Sequence, residues 1–243
     1  MSKRLQFFFG HLVLSILIAL IFICVVFLLW YPSPLAKAAG VTHIFLMLIV
    51  IDVIIGPMLT LLIYKDGKKT LKIDLAVIIL IQIAALSYGI YNIAQGRPVW
   101  IVQNGNRFEL VRNNEIFGEN LQQAKEKYQY PSWLKPQFVA TEFASNVQQR
   151  NDDMFAEVLG GISIAQRPER YVDLSKAKEK IQQHAQKLEL LQQYNNKMDV
   201  EKILAKYPQA IAFLPLKATA VDMTVLIDKH GEVIKIVDLR PWK

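Results

Sequence analysis

Two aspartates, Asp52 and Asp74, stand inside long apolar runs, and their chemistry needs an account before anything else. Two carboxylates held ~3 Å apart can share a proton and serve as an acid–base pair. At 1.5 Å per helical residue, however, Asp52 lies ~18 Å from the near end of its run, and Asp74 lies roughly 16 Å shallower in the next one. The depths do not match. Asp74 reads instead as a charge at a helix N-terminus, after Lys68-Lys69-Thr70-Leu71-Lys72.

Gln82 matches Asp52 better, at ~14 Å depth on an antiparallel neighbour. An ionised carboxylate in hydrocarbon costs ~2.5–3.5 kcal/mol, so Asp52 must face protein and be neutral or paired. One reading is a clamp, in which protonated Asp52 exchanges hydrogen bonds with the Gln82 amide. The other is a docking site, where Asp52 meets a polar group of another membrane protein. Gly56-Pro57 follows one turn on and Thr60 another. Pro57 removes the N–H that would bond the Val53 carbonyl, and Gly56 permits a kink or a close helix approach. Asp52, Gly56, Pro57, Thr60 and Gln82 are therefore the candidate partner-binding residues, with a simple kink as the plainer alternative.

Elsewhere the chemistry is thin. Gly161-Ile162-Ser163-Ile164-Ala165 has a trace of a nucleophile elbow, but Arg167-Pro168 follows where a helix should run. His184 borders an apolar helix stripe, and His230 sits in a turn. The single cysteine, Cys24, lies in an apolar run, which excludes an intramolecular disulfide and a cysteine-based metal cluster. No metal-ligand spacing, catalytic set, cofactor motif or small-molecule site is read from the chain.

The elements that position these residues divide sharply. Phe7–Trp30, Val41–Tyr64 and Ile73–Ala94 are each long enough to cross a ~30 Å hydrocarbon core, which takes roughly 20 residues. A cleaved signal peptide is the competing reading of the first, given Lys3-Arg4 before it and Ala36-Lys37-Ala38 after it. Its apolar run is too long for that, since signal cores span only ~7–15 residues. Lys3 and Arg4 precede the first span, and Lys65, Lys68, Lys69 and Lys72 fill the loop after the second, while Tyr31–Gly40 carries only Lys37. Positive charge stays cytoplasmic, so the N-terminus is inside and everything after the third span is outside. Trp30, Tyr31, Tyr64, Tyr88 and Tyr91 lie toward span ends, where aromatic belts form.

Residues 97–243 carry the charge density of a soluble domain. The formal net charge of +7 is shared, with seven basic and three acidic residues before residue 97 and 21 and 18 after it. No clustered basic face appears outside the membrane-flanking loop, so nucleic acid is not a partner. Val99–Gln103 and Phe108–Arg112 flank Asn104-Gly105-Asn106 as a hairpin. Glu119–Tyr128 reads as a short helix, Phe138–Phe143 as a strand and Val147–Leu159 as a helix ending at Gly160-Gly161. Ser175–Tyr194 reads as one long helix, with Ala177, Ile181, Ala185, Leu188 and Leu191 at helical spacing. Asp199–Tyr207 reads as a short helix capped by its aspartate. Strands at Ala210–Leu216, Met223–Ile227 and Val233–Leu239 close the chain, the last two joined by Asp228-Lys229-His230-Gly231. The expected fold is three transmembrane α-helices in residues 1–96 followed by an α+β periplasmic domain in residues 97–243 with an antiparallel sheet.

Asp52-Val53-Ile54-Ile55-Gly56-Pro57-Met58-Leu59-Thr60, the lysine loop with Asp74, Gln82 and Tyr88-Gly89 together resemble the core of the type IV pilin accessory proteins, the TfpX/TfpZ and FimB-like group. The likeness continues through Gly96-Arg97-Pro98-Val99-Trp100 and Asn106-Arg107-Phe108-Glu109-Leu110-Val111. It implies a non-enzymatic accessory or chaperone in the bacterial inner membrane. Its partner would be the type IV major pilin, and its task to promote pilin availability for pilus assembly. The resemblance supplies no catalytic residues and no cofactor. A membrane subunit or enzyme of pilin modification, by glycosylation or processing, is the alternative. It would need clustered carboxylates or histidines near one membrane face, which the sequence lacks.

Overall fold

The computed structural model describes residues 2–242; Met1 and Lys243, outer bounds of the two expected segments, lie outside them. Helix α1 (Lys3–Cys24) starts where the Ser2 hydroxyl accepts the Leu5 N–H, and it continues as a π-helical turn, Val25–Trp30. A single helical turn, α2 (Leu35–Ala38), precedes α3 (Val41–Ile63) and α4 (Leu71–Gln95). The three long helices are each long and apolar enough to cross a membrane. Exposed Ile44, Leu62 and Leu80 leave them apolar on their outer faces too, as lipid requires and water does not tolerate. This is a membrane protein.

Helices α1 and α4 each pack against α3. At one end of the bundle the Arg4 Nε donates to the Leu61 carbonyl at 2.6 Å, and Phe7 stacks on Tyr64 with ring centroids 4.9 Å apart. At the other, Tyr31 is buried and donates to the Ile93 carbonyl at 2.7 Å. Asp74 accepts from the Thr70 hydroxyl and pairs with Lys68 at 2.7 Å, at the first turn of α4.

Beyond α4 the chain builds a mixed sheet with helices on both faces. In order come β1 (Pro98–Asn104), β2 (Arg107–Arg112), α5 (Glu126–Gln129), β3 (Gln137–Thr141), α6 (Val147–Gly160), β4 (Tyr171–Asp173), α7 (Lys178–His184), β5 (Gln186–Lys187), α8 (Lys197–Leu204), β6 (Ala212–Lys217), β7 (Met223–Ile227) and β8 (Val233–Val237). The strands lie in the order β4-β3-β1-β2-β6-β7-β8, with β5 also paired to β6. The class is α+β, but the sheet is not purely antiparallel. Strand β3 runs parallel to β1, and β6 runs parallel to β2. Turn signals reveal hairpins such as β1–β2, whereas these two pairings join segments far apart in the chain, and only their common burial decides them.

Pairing with alternate faces explains why β1 is buried along nearly its whole length. Ile101 points into one core with Phe108, Leu214, Val225 and Ile181, while Trp100 and Val102 point into another with Tyr128 and Tyr171. Leu35 and Ala38 of α2 belong to the first of these cores. The Ala38 carbonyl accepts the Ala220 and Val221 amides at 2.9 and 3.2 Å, and Lys37 pairs with Asp238 at 2.7 Å. The loop between the first two long helices is thus part of the sheet domain's packing. Gly40, at φ 75°, turns the chain back into α3 under Ala220, whose Cβ would stand 2.9 Å from any Cβ at that position.

Local departures from the sequence reading have local causes. The long helix expected over Ser175–Tyr194 is broken into a 3₁₀ turn at Leu174–Ala177, α7, strand β5 and a second 3₁₀ stretch, Leu188–Gln193. Gln186 and Lys187 pair with Phe213 and Ala212 of the interior strand β6, and this pairing outweighs the helical periodicity; Ile181 and Leu191 are buried. Glu119–Tyr128 is a 3₁₀ turn, Leu121–Gln123, followed by the short α5. The last helix is capped not by Asp199 but by Asn196, whose side chain accepts the Met198 N–H at 2.9 Å. Helix α6 ends at Gly161, φ 66°, as its sequence predicts.

Candidate functional site

The polar residues of the membrane bundle meet between its three long helices. Gln82 of α4 donates through Nε2 to the main-chain oxygen of Asp52 at 2.9 Å and to the Ser15 hydroxyl at 3.2 Å. Its Oε1 faces His11 Nε2 at 2.9 Å, and His11 Nδ1 lies 2.8 Å from the Thr60 hydroxyl. The roles follow from the acceptors. A main-chain oxygen can only accept, so the Gln82 NH₂ faces Asp52 and its carbonyl faces His11. The His11 proton therefore sits on Nε2, and Nδ1 accepts from Thr60. Neutral imidazole satisfies every partner without burying a charge in the bundle.

Of the expected residues, Gln82 does join α4 to α3 at the level of Asp52. The hydrogen bond runs to the Asp52 main chain, however, and Asp52 itself lines a cavity beside Gln82. Gly56 and Pro57 are buried, and α3 continues through Pro57 without a break. A Cβ on Gly56 would overlap the Gln82 carboxamide. Gly56 therefore admits Gln82 rather than opening a gap for Asp52. Gly89 plays a similar part against Leu48, whose Cδ2 would lie 2.5 Å from a Cβ there.

His11 and Ser15 went unread as site residues. Their signal is present: both lie on α1 at i, i+4 spacing in the otherwise apolar run from Phe7, one face of one turn. What the sequence could not reveal is that this face meets Thr60 and Gln82.

The same residues floor an open furrow between α1 and α4. Its polar half is a cavity of about 460 Å³, lined by His11, Ser15, Asp52, Thr60 and Gln82 amid apolar side chains such as Leu14 and Ile79. A second hollow of about 500 Å³, lined by Ile18, Phe22, Ile83 and Tyr91, continues it toward the sheet domain. From Phe7 to Phe22 the furrow runs ~22 Å along α1, most of a ~30 Å hydrocarbon core.

In the sheet domain the weak catalytic signals have structural roles. The Ser163 hydroxyl accepts the Ala165 N–H and donates to buried Glu109 at 3.0 Å. His184 Nδ1 meets the Lys180 carbonyl at 2.8 Å, and the His230 amide donates to Asp228. Among the described residues, no three His, Cys, Asp or Glu side chains gather in a metal-binding arrangement. Burial raises the pKa of the Tyr31 hydroxyl, which stands between bundle and sheet near Arg112 and Arg97.

Bundle, furrow and sheet together define a membrane-anchored protein whose polar centre lies inside the membrane part. The family model of the fimbrial assembly protein FimB matches residues 1–40. Two proteins of Dichelobacter nodosus match over 239 residues, covering 94% of this chain and 92% of each relative. They are the fimbrial assembly protein of serogroup I, at 29% identity, and that of serogroup E1, at 30%. A third, the fimbrial assembly protein of serogroups C1 and C2, is 34% identical over 116 residues, 47% of this chain. No solved structure gives a significant match. The chain belongs to the FimB fimbrial assembly protein family.

Proposed function

We propose that this protein is a non-enzymatic pilus assembly factor of the bacterial inner membrane that holds the apolar helix of the major pilin in the furrow between α1 and α4. The observation that carries the reading is the furrow itself, an apolar channel of nearly bilayer length with one polar patch part-way along. Hydrogen bonds among His11, Thr60, Gln82 and Ser15 hold that patch together, and Asp52 beside them is the acidic residue lining the furrow that an occupant would meet. A pilin helix entering from the side would bury its apolar length and meet Asp52 at one level only. Residues 1–96 act as the anchor, and residues 97–243, with Leu35–Ala38 packed into them, form the periplasmic domain that faces the pilin's soluble part. The lysines of the 65–72 loop and at Lys3-Arg4 support this orientation, and the relatives' names support the role in assembly.

Site-specific photo-crosslinking tests the reading. A benzoylphenylalanine at Leu14 or Ile79 should capture pilin in intact cells, whereas one at lipid-exposed Ile44 should not. Asp52→Asn and Asp52→Leu should both lower pilin capture and pilus number while the protein's own level holds. Equal capture from Ile44 and Leu14, or full piliation of Asp52→Asn, would overturn the proposal in its respective part.

A further inference from the structure

Helix α6 buries a charged residue and leaves all its large apolar residues exposed. Its one buried side chain is an acid, Asp153, while its other polar residues are exposed along with the large apolar ones. Buried Asp153 accepts from Arg170 at 2.7 and 3.2 Å and lies 3.3 Å from Arg167. Its apolar side faces out: Val147, Met154, Phe155, Val158 and Leu159 are all exposed, Val158 by 74% and Leu159 by 81%. An outward stripe of this kind marks an interaction surface.

Its position excludes the bilayer as the occupant. Strand β1 leaves the membrane end at Pro98 and carries the chain ~20 Å away over its length. Strand β3 runs parallel to it and ends beside Gln103, whose carbonyl accepts from the Thr141 hydroxyl at 3.2 Å. Helix α6 starts beyond that end. Its middle is tied through Asp153 to Arg170, whose carbonyl accepts the Glu142 amide, and just past its end Ser163 donates to Glu109 and lies 3.5 Å from Asn104. Both ties are at the level of the β1–β2 hairpin tip, so α6 lies across the membrane-distal end of the sheet. Charge agrees: Asp152, Asp153 and Glu157 outnumber Arg150, where a helix made for anionic lipid would carry an excess of lysine and arginine.

We infer that this face is the contact between two copies of this chain, paired through antiparallel α6 helices about a twofold axis along the membrane normal. Copies inserted in one membrane can be related only by such an axis, and it reverses the direction of any helix lying in the membrane plane. The sequence of α6 is self-complementary in that arrangement. Val147, Asn151, Met154 and Val158 form a seam at spacings of four and three, so Val147 of one copy packs on Val158 of the other and Asn151 on Met154. Arg150 and Glu157, both exposed, flank one edge of the seam a heptad apart. Antiparallel pairing sets each Arg150 against the other copy's Glu157, twice by symmetry; parallel pairing offers no such ion pair. A contact of one 14-residue helix per copy is short of a standard interface and suits a weak, membrane-confined dimer.

Cysteine pairing in native membranes tests this in the full chain with Cys24→Ser. Differently tagged copies carrying Val147→Cys and Val158→Cys should form a disulfide with each other, and Val147→Cys alone should not. Arg150→Glu or Glu157→Arg should each cut the crosslink roughly tenfold, and the double swap Arg150→Glu/Glu157→Arg in one chain should restore it. Restoration separates lost pairing from lost folding. Absence of the mixed disulfide, a disulfide from Val147→Cys alone, unchanged yield in the single swaps, or failure of the double swap to restore would each overturn the inference. Pilin capture from the furrow is read independently of this result.

Discussion

Replacing Gly56 by alanine sets two effects of opposite sign against each other. Gly56 is an interior helical position with ordinary backbone angles, where alanine gains about 1 kcal/mol by helix propensity. Against that, the new Cβ overlaps the Gln82 carboxamide, which must leave its place. Gln82 then loses its bonds to His11, Ser15 and the Asp52 carbonyl. At ~0.6 kcal/mol each in a membrane bundle these total about 2 kcal/mol, so Gly56→Ala should destabilise the bundle by about 1 kcal/mol net. With Gln82→Ala already present there is no carboxamide to displace, and Gly56→Ala should become neutral or stabilising. The double-mutant cycle, measured by reversible unfolding of the full protein in mixed detergent and dodecyl sulfate, should return a coupling of about 2 kcal/mol. Equal effects of Gly56→Ala in both backgrounds would show that Gly56 is not there to admit Gln82, and the account of the polar centre would fall.

Asp153→Ala removes the buried carboxylate that Arg167 and Arg170 share and leaves Arg170 without it and Arg167 with Glu169 alone; a loss of roughly 3 kcal/mol is expected, visible as early proteolysis within residues 147–160. Alkaline phosphatase fused after Trp242 should be active and fused at Gly67 inactive; the reverse pattern would refute the periplasmic placement of the sheet domain. The amides of Glu232 and His230 hold the Asp228 carboxyl below its ordinary 3.8, so its stabilisation is present above that value and is lost as pH falls through the lower, folded one. Thermal unfolding should show the wild type's advantage over Asp228→Ala at pH 7 shrinking under strong acid; a constant difference would contradict the role of those amides.

The sequence by itself determined what depends on neighbours along the chain. Uninterrupted apolar length specified α1, α3 and α4, because a helix in hydrocarbon must satisfy its backbone internally whatever surrounds it. Asn104-Gly105-Asn106 and Asp228–Gly231 specified hairpins, and Gly160-Gly161 the end of α6, because turn and cap chemistry is local. Depth along a helix is also local, which is how Gln82 could be matched to the level of Asp52. Azimuth is not. That Gln82 bonds the Asp52 main-chain carbonyl, and that His11, Ser15 and Thr60 complete the centre, depends on how three helices rotate against one another; only packing decides that. The same limit hid the parallel β1–β3 and β2–β6 pairings, whose partners are distant in the chain, and the break after α7, where pairing of β5 with β6 overrode a good helical period. It hid the meaning of α6 as well. Its apolar periodicity is plain in the sequence, but the side it buries was settled by Arg167 and Arg170, which turn Asp153 inward and leave the apolar stripe facing out.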